Sequence, residues 1–391
     1  MVDRRETRAA LFVMMLGVVT ARPERVELDD PLENAALWDQ FYTVRAGFGY
    51  TDNVLFSDLY QKPSAFLATG IDATLTRFPL DSSQVNFFVG IDDRRYFDGV
   101  VVTNLAPGTA ATNLTDTIKG ERTLLALAQW RRDFNSNWQG ELNAQYFFQD
   151  QVIDLSVTEA DLGALPVVGH QVRTGAEGRR SLGTNWWTGL ELTGQRQWFE
   201  QSFVDSYWQY GPQLSMGTAL SARSTLDASY RLERRDYDHR EQYSTVGEPL
   251  AGTHLSYLAQ TAEIDWRYHL DAARRWRWQA RGGFGRNQDN GTGYFDFERW
   301  FGSLQLRYRD PEWEVRAQGR VTSYRYDVQV SDDPPGDLRQ RLTMQVGVRV
   351  ERTLRRALRV FAEYEFEQAT SNLSYDSYTV NVVNGGVLWE F

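Results

Sequence analysis

The stretch ALRVFAEYEFEQ, residues 357–368, decides the fold class. Positions 358, 360, 362, 364 and 366 are apolar, whereas Arg359, Glu363, Glu365 and Glu367 lie between them. Successive side chains of a β-strand point to opposite faces, so a period of two gives one apolar and one charged face. A helix would need a period of 3.6 residues. The stretch therefore predicts a strand with an apolar face and a polar face.

The same alternation recurs from residue 42 onwards, for example in TLDASYRLERRDY (225–237) and RLTMQVGVRVE (341–351). Short connections are predicted at 78–83, 133–137, 182–185, 221–224, 271–275, 310–312 and 354–356. Longer connections are predicted at 98–117, 155–170, 241–253, 288–293 and 331–338. Short turns at one end and long loops at the other are typical of outer-membrane barrels. We therefore predict an all-β fold, a transmembrane antiparallel up-and-down β-barrel of about 16 strands, with 14–18 compatible with the pattern. A soluble β-sandwich or propeller is the alternative.

Composition limits the other classes of protein. Mean hydropathy is −0.51, and after the N-terminus there is no apolar run of the roughly 18 residues that a transmembrane helix needs. Barrel strands escape this criterion because polar residues alternate with apolar ones. The chain has no cysteine, which excludes a disulfide framework, a lipoprotein anchor and cysteine-ligated zinc. The formal net charge is −10.

The N-terminus has the pattern of a secretory signal peptide. A basic segment, MVDRRETR, precedes the apolar segment AALFVMMLGVV, and small residues end at Ala21. We predict a signal peptide at 1–21, a periplasmic segment at 22–40 and the barrel at 41–391. An ordinary N-terminal helix is the alternative for the first segment. Export and a barrel together predict the outer membrane of a Gram-negative bacterium, with its lipid as a partner.

Tryptophans cluster beside the predicted short turns. An indole is favoured at headgroup depth because its ring is amphipathic. We therefore predict an aromatic girdle at the periplasmic interface. Its members are Trp138, Trp186, Trp187, Trp276, Trp278, Trp313, Trp389 and Phe391.

Two stretches resemble known outer-membrane proteins. The final strand, VVNGGVLWEF (382–391), ends on phenylalanine with apolar residues at alternate positions. It resembles the signal that the barrel-assembly machinery recognises, which implies that machinery as a partner. AGFGYTDNVLFS, residues 46–57, resembles the opening strand of the β-barrel porin-2 family. Many members of that family are associated with exopolysaccharide synthesis and export. The resemblance implies polysaccharide and a periplasmic export protein as further partners.

The polar face of the strands would line the lumen. A basic patch is predicted from Arg277, Arg281, Arg307, Arg316 and Arg320, with Arg231 and Arg235 also facing inward. Glu363, Glu365 and Glu367 form an acidic stripe on the next-to-last strand. These charges either form a structural ladder of salt bridges or give the pore ion selectivity. A polyanionic glycan could follow the arginines. Both signs are nearly balanced, so the sequence does not choose between these interpretations. The connections 98–117 and 155–170 are the candidate constricting loops.

The resulting functional prediction is an outer-membrane pore that serves exopolysaccharide export or secretion. A general diffusion porin for small polar solutes is the main alternative. A barrel enzyme, such as a lipase or deacylase using His239 or His254 near Ser244, and a plugged structural barrel are further alternatives. We expect no enzyme activity, because no Gly-x-Ser-x-Gly or His-Glu-x-x-His motif is present. No cofactor, metal or nucleic-acid partner is expected.

Overall fold

The computed structural model describes residues 38–58, 61–80, 82–102, 116–154, 164–201, 204–332, 335–373 and 376–391. The compact unit that contains the barrel is Asp39–Phe391. The predicted signal peptide at 1–21 and residues 22–37 of the predicted periplasmic segment lie outside the described residues. No helix in the described ranges is long and apolar enough to cross a bilayer.

The described chain is built from antiparallel strands. They are β1 (Trp38–Thr51), β2 (Ser64–Leu80), β3 (Ser83–Val102), β4 (Asp116–Asp133), β5 (Trp138–Asp154), β6 (Ala164–Ser181), β7 (Trp186–Phe199), β8 (Tyr207–Ser221), β9 (Ser224–Tyr237), β10 (Gln242–Tyr243), β11 (Pro249–Leu250), β12 (Ser256–His269), β13 (Trp276–Asp289), β14 (Phe297–Arg309), β15 (Trp313–Asp332), β16 (Pro335–Arg355), β17 (Leu358–Ser371) and β18 (Tyr378–Glu390). The two-residue strands β10 and β11 form a separate hairpin, and the other 16 form one closed barrel.

Each barrel strand pairs with its neighbours along the chain, and the sheet closes where β1 meets β18. At this seam Val44 lies opposite Trp389, and Tyr50 lies opposite Val383. The predicted up-and-down barrel of about 16 strands is confirmed. The first strand starts at Trp38, three residues before the predicted boundary.

The predicted short connections all lie at one end of the barrel. The turn before β15 shows why they are stable. Asp310 Oδ1 accepts hydrogen bonds from the backbone nitrogens of Glu312 (2.8 Å) and Trp313 (2.7 Å). The Tyr308 hydroxyl donates to the same carboxylate. These donors lower the pKa of Asp310, with the Tyr308 bond as the largest cause. An aspartate that holds its own turn closed in this way fixes the register of the hairpin.

The connections at the other end differ from the prediction. Strand β3 continues to Val102 and β4 starts at Asp116, so the strands extend into the predicted loop 98–117. Strand β6 starts at Ala164 and includes the polar, glycine-rich residues up to Ser181. Cross-strand pairing on both sides of β6 compensates for its low strand propensity. Residues 103–115 and 155–163, which belong to the two candidate constricting loops, lie outside the described residues.

The outer surface of the barrel is apolar. Leu214 on β8 is 57% exposed, and Ile264 on β12 and Val383 on β18 are similarly exposed. Soluble proteins rarely expose a contiguous apolar patch of more than a few hundred Å², whereas a lipid-facing wall consists of such residues. The buried apolar residues lie inside the barrel. An apolar outer surface of this kind is the arrangement that a bilayer requires.

Glycines permit a close approach of the backbones at the seam. Gly47 of β1 lies opposite Gly386 of β18. A Cβ on Gly47 would lie 2.6 Å from the carbonyl oxygen of Gly385, and one on Gly386 would lie 2.1 Å from that of Ala46. Both distances are shorter than a van der Waals contact, so residues with a side chain do not fit here without a shift of the backbone.

The two faces of β16 provide a direct test of the lipid-facing wall. Val346 is exposed on the outer surface, whereas its neighbour Gln345 lines a cavity in the lumen. We expect Val346→Arg to lower the free energy of unfolding by about 2–4 kcal/mol, the cost of a cation near the middle of the lipid face. The matched variant Gln345→Arg should cost clearly less. Urea unfolding of the barrel in lipid vesicles measures both values, and equal losses would contradict the assignment of the faces.

Candidate pore and its lining

Most of the predicted girdle residues lie on the outer surface at the end with the short turns. Trp138, Trp186, Trp276, Trp313, Trp389 and Phe391 are exposed there. Trp278 shares their face of β13, and its ring packs 6.1 Å from that of Trp266. The rings of Trp389 and Phe391 stack at 5.7 Å with an interplanar angle of 6°. These residues form a belt at the level where the C-terminal strand ends.

Trp187 does not belong to this belt. It is adjacent to Trp186, so the alternation of the strand turns it toward the lumen. Its ring lies 4.0 Å from the Arg179 guanidinium carbon and lines a cavity of about 550 Å³. The prediction grouped Trp187 with the membrane residues by its distance from the turn, although the parity of the strand separates it from Trp186.

A second aromatic group lies at the opposite end of the barrel, which the sequence analysis did not identify. Phe48, Phe97, Trp208 and Trp300 are exposed near the long connections. The rings of Phe48 and Phe97 stack at 6.4 Å across β2. Two aromatic belts at the ends of an apolar wall are the pattern of a barrel that crosses both interfaces. The sequence signal for this second belt was an aromatic residue on the outward-facing positions of a strand, close to its long connection.

The predicted basic patch separates into two groups in the structure. Arg307 and Arg316 both contact Glu314, at 2.9 Å and 3.3 Å, near the short turns. Arg277 donates to Gln279 at 2.8 Å. In contrast, Arg231, Arg235, Arg281 and Arg320 line one cavity of about 680 Å³, farther from the short turns. Arg286 and Arg299, which the prediction omitted, also line this cavity.

The arginines of this larger cavity differ in their partners. Arg281 pairs with Glu263 (3.2 Å) and Asp265 (3.3 Å). Arg231 Nε donates to Gln213 at 2.7 Å, and Arg235 Nε donates to Gln209 at 3.0 Å. Four of these arginines have no ion pair to a carboxylate of the described residues: Arg231, Arg235, Arg299 and Arg320. We call these four residues and their cavity the arginine cavity.

Part of the acidic stripe lies close to the arginines. Glu363 forms an ion pair with Arg349 of the neighbouring strand β16 at 3.0 Å, so its charge is compensated within the barrel wall. Glu365 and Glu367 line a second cavity, of about 540 Å³, together with Arg94, Arg281 and Arg320. Arg281 and Arg320 therefore line both cavities, which lie side by side in the lumen. Arg320 and Glu367 both pair with Gln345 from neighbouring strands, so positive and negative side chains lie next to each other on this part of the wall.

Charge also differs along the barrel axis. The cavity that contains Trp187 is close to the short turns and has more carboxylates than arginines. Its carboxylates are Glu177, Glu191, Asp227, Glu263 and Asp265, and its arginines are Arg179, Arg267 and Arg281. The arginine cavity, toward the other end, has the opposite balance.

The first loop, residues 52–58, folds into the lumen. Val54 and Leu55 are only 2% and 1% exposed, and they pack with Phe66 and Tyr96. Asn53 Nδ2 donates to the carbonyl oxygen of Thr379 at 3.0 Å, which ties the loop to β18. This loop is part of the stretch that resembles the porin-2 family. The structure therefore identifies a constricting segment that was not among the predicted ones.

A second constriction crosses the lumen. Arg341 on β16 forms an ion pair with Asp154 at the end of β5, although these strands are not neighbours in the barrel. The Tyr378 hydroxyl lies 3.3 Å from Asp154 and 2.7 Å from Glu367. We call the contact of Arg341, Asp154 and Tyr378 the clasp. Asp154 directly precedes the second predicted constricting loop.

A buried ion pair supports the clasp. Arg339 donates to Asp376, and both side chains are almost completely buried. Burial raises the pKa of Asp376, although Arg339 and Arg341 act in the opposite direction. Breaking one partner of a buried pair is costly because the other charge loses its compensation. Two ion pairs, Arg341 with Asp154 and Arg339 with Asp376, therefore stabilise this part of the lumen.

His239, His254 and Ser244, the candidate residues of the alternative barrel enzyme, are not joined by hydrogen bonds in the part of the chain that the structure describes. Ser244 Oγ accepts a hydrogen bond from the backbone nitrogen of Glu248 at 3.1 Å. His239 and His254 form no hydrogen bond to it among the described contacts. Within the same residues, no group of three or more histidines and carboxylates could hold a metal ion.

No protein-family model matches the chain, and no curated protein matches it. Solved structures of outer-membrane barrels are similar. OccAB1 of Acinetobacter baumannii is 10% identical with a TM-score of 0.48, over 90% of this chain and 97% of that one. OccK3 (OpdO) of Pseudomonas aeruginosa is 11% identical with a TM-score of 0.46, over 90% and 95%. A bacterial polysaccharide outer membrane secretin is 12% identical with a TM-score of 0.42, over 90% and 98%. At these values the similarity is one of barrel architecture and says nothing about the solute.

The clasp predicts a measurable effect on conduction. We expect Asp154→Asn to raise the single-channel conductance in planar bilayers, because the carboxylate that holds Arg341 across the lumen is removed. Asp310→Asn, in a turn at the other end, is the control and should leave conductance unchanged. An unchanged conductance for Asp154→Asn would mean that the clasp does not limit the path.

Proposed function

We propose that the chain is an outer-membrane pore that serves exopolysaccharide export. The observation that carries the pore is a wide polar lumen enclosed by an apolar outer wall. Barrels of 16 to 18 strands leave an aqueous channel, whereas barrels of eight are filled by side chains. Adjoining cavities of about 680 and 540 Å³ that share Arg281 and Arg320 support a continuous polar path.

The electrostatics favour an anionic solute. Arginines without a carboxylate partner keep their positive potential available, whereas Glu363 and Glu314 are neutralised by Arg349 and by Arg307. A lumen lined in this way attracts anions, as rings of arginine do in anion pores. The count of charges on the inner face is nearly equal, so the proposal depends on which arginines lack a carboxylate partner and not on the count.

Export of a polymer is supported by two features. The loop 52–58 and the clasp narrow the lumen, which suits a conduit that stays closed until its cargo arrives better than a permanently open pore. Residues 46–57 also resemble the opening strand of a family that is often associated with exopolysaccharide export. The proposed partners are the polysaccharide, a periplasmic export protein and the barrel-assembly machinery. The proposed location is the outer membrane of a Gram-negative bacterium.

A general diffusion porin for small polar solutes is the second candidate. The polar cavities of the lumen favour it, since they would admit small solutes without a dedicated partner. Immediate, large and weakly selective conductance of the purified chain would favour this candidate. A small conductance that increases when residues 53–56 are deleted would favour the exporter. Neither candidate involves a covalent step.

Ion selectivity tests the charge argument. We expect the pore to prefer chloride to potassium, which the sign of the reversal potential in planar bilayers with a KCl gradient measures. Arg320→Ala should shift this potential toward cation preference, because Arg320 is shared by both cavities. Glu365→Gln, which removes a charge of the opposite sign from one of them, should shift it toward anions. Two shifts in the same direction, or a cation-selective wild type, would contradict the proposal.

A further inference from the structure

We infer that the arginine cavity binds an acidic oligosaccharide, held by its carboxylates. The inference rests on the proposed pore and names the class of solute that its lumen recognises. It comes from the partners of the four arginines, the orientation of two glutamines and the spacing of the charges.

The lining of the cavity has an excess of positive charge. Six arginines and three carboxylates contribute to it. Two of the carboxylates are already in ion pairs, Glu263 with Arg281 and Asp154 with Arg341. Glu233 is the remaining carboxylate of the lining. Arg231, Arg235, Arg299 and Arg320 therefore outnumber the carboxylates that remain available, and an anion in the cavity would balance them.

The four arginines also have unused hydrogen-bond donors. Arg235 lies 4.3 Å from the Tyr207 ring and contacts the Tyr237 hydroxyl at 3.2 Å, both of which are neutral groups. Arg299 lies 5.1 Å from the Phe301 ring, and its buried Nε has no hydrogen-bond partner. Guanidinium groups bind carboxylates in a bidentate manner, with two parallel bonds. A carboxylate would satisfy donors that the protein leaves open.

Two glutamines extend this set of donors. Gln213 Oε1 accepts from Arg231, and Gln209 Oε1 accepts from Arg235. Because each amide uses its oxygen in this contact, its nitrogen remains as a donor at the cavity surface. The lining therefore offers mainly donors, which match the carboxylate and hydroxyl oxygens of a sugar acid. Tyr324 and Phe297 add aromatic surface to the same cavity.

The spacing distinguishes an oligosaccharide from a small acid. Arg231 and Arg235 are four residues apart on β9, so their Cα atoms are about 13 Å apart along the strand. Their guanidinium groups are held by two different glutamines, Gln213 and Gln209, which are also four residues apart on β8, so the two groups face different parts of the cavity. A chain that carries several carboxylates can contact both. The cavity volume of about 680 Å³ is also within the range of ligand pockets, about 300–1,000 Å³.

Calorimetry on the detergent-solubilised full barrel tests the inference. The probes are trigalacturonate, the neutral trisaccharide maltotriose and acetate, each titrated at low ionic strength. We expect trigalacturonate to bind at least tenfold more tightly than either of the other two. Arg231→Gln combined with Arg235→Gln should weaken trigalacturonate binding at least tenfold. Arg307→Gln combined with Arg316→Gln makes the same change in charge outside the cavity and should have little effect.

Each other outcome has a defined meaning. Binding of acetate as tight as that of trigalacturonate would overturn the oligosaccharide, and equal binding of maltotriose would overturn the role of the carboxylates. Equal losses in the two double variants would overturn the location. The readout does not depend on conduction. Binding without conductance would contradict the pore and keep the site, and conductance without binding would do the reverse.

Discussion

The pairing of β1 with β18 is the constraint on which the rest of the structure depends. In hydrocarbon there is no water to satisfy an open strand edge, so a sheet that crosses a bilayer has to close on itself. The ladder from Thr43 opposite Glu390 to Thr51 opposite Val382 achieves this closure. Once the sheet is closed, alternation along each strand decides which side chains contact lipid and which enclose the lumen.

The lining of the closed sheet differs from one side to another. Val54 and Leu55 cover the inner face of β2 and β3 with an apolar cluster. The arginine cavity occupies the side formed by β8, β9 and β12 to β15. The lumen therefore has an apolar cluster on one part of its wall and a group of arginines on another, and the clasp lies near the end with the long connections.

Local patterns explain how much of this could be predicted. Alternation placed Glu363, Glu365 and Glu367 on the inner face because a period of two is a property of each strand alone. The same rule would have separated Trp187 from Trp186, had parity been preferred to distance from the turn. Partners could not be predicted in this way. Arg307 and Arg231 have similar local surroundings in the sequence, yet only Arg307 faces Glu314 in the folded sheet. The contact of Arg341 with Asp154 joins residues 187 positions apart and depends on closure of the whole barrel.

The glycines at the seam have a consequence for the width of the channel. A slip of β18 by two positions would preserve the inner and outer faces, so polarity alone does not prevent it. Such a slip would bring Asn384 or Leu388 to the place of Gly386, where a Cβ has no room beside the Ala46 carbonyl. Gly47 and Gly386 therefore favour a single register of β18 against β1. Since strand number and stagger together set the radius of a barrel, two missing side chains at the junction help to determine its calibre.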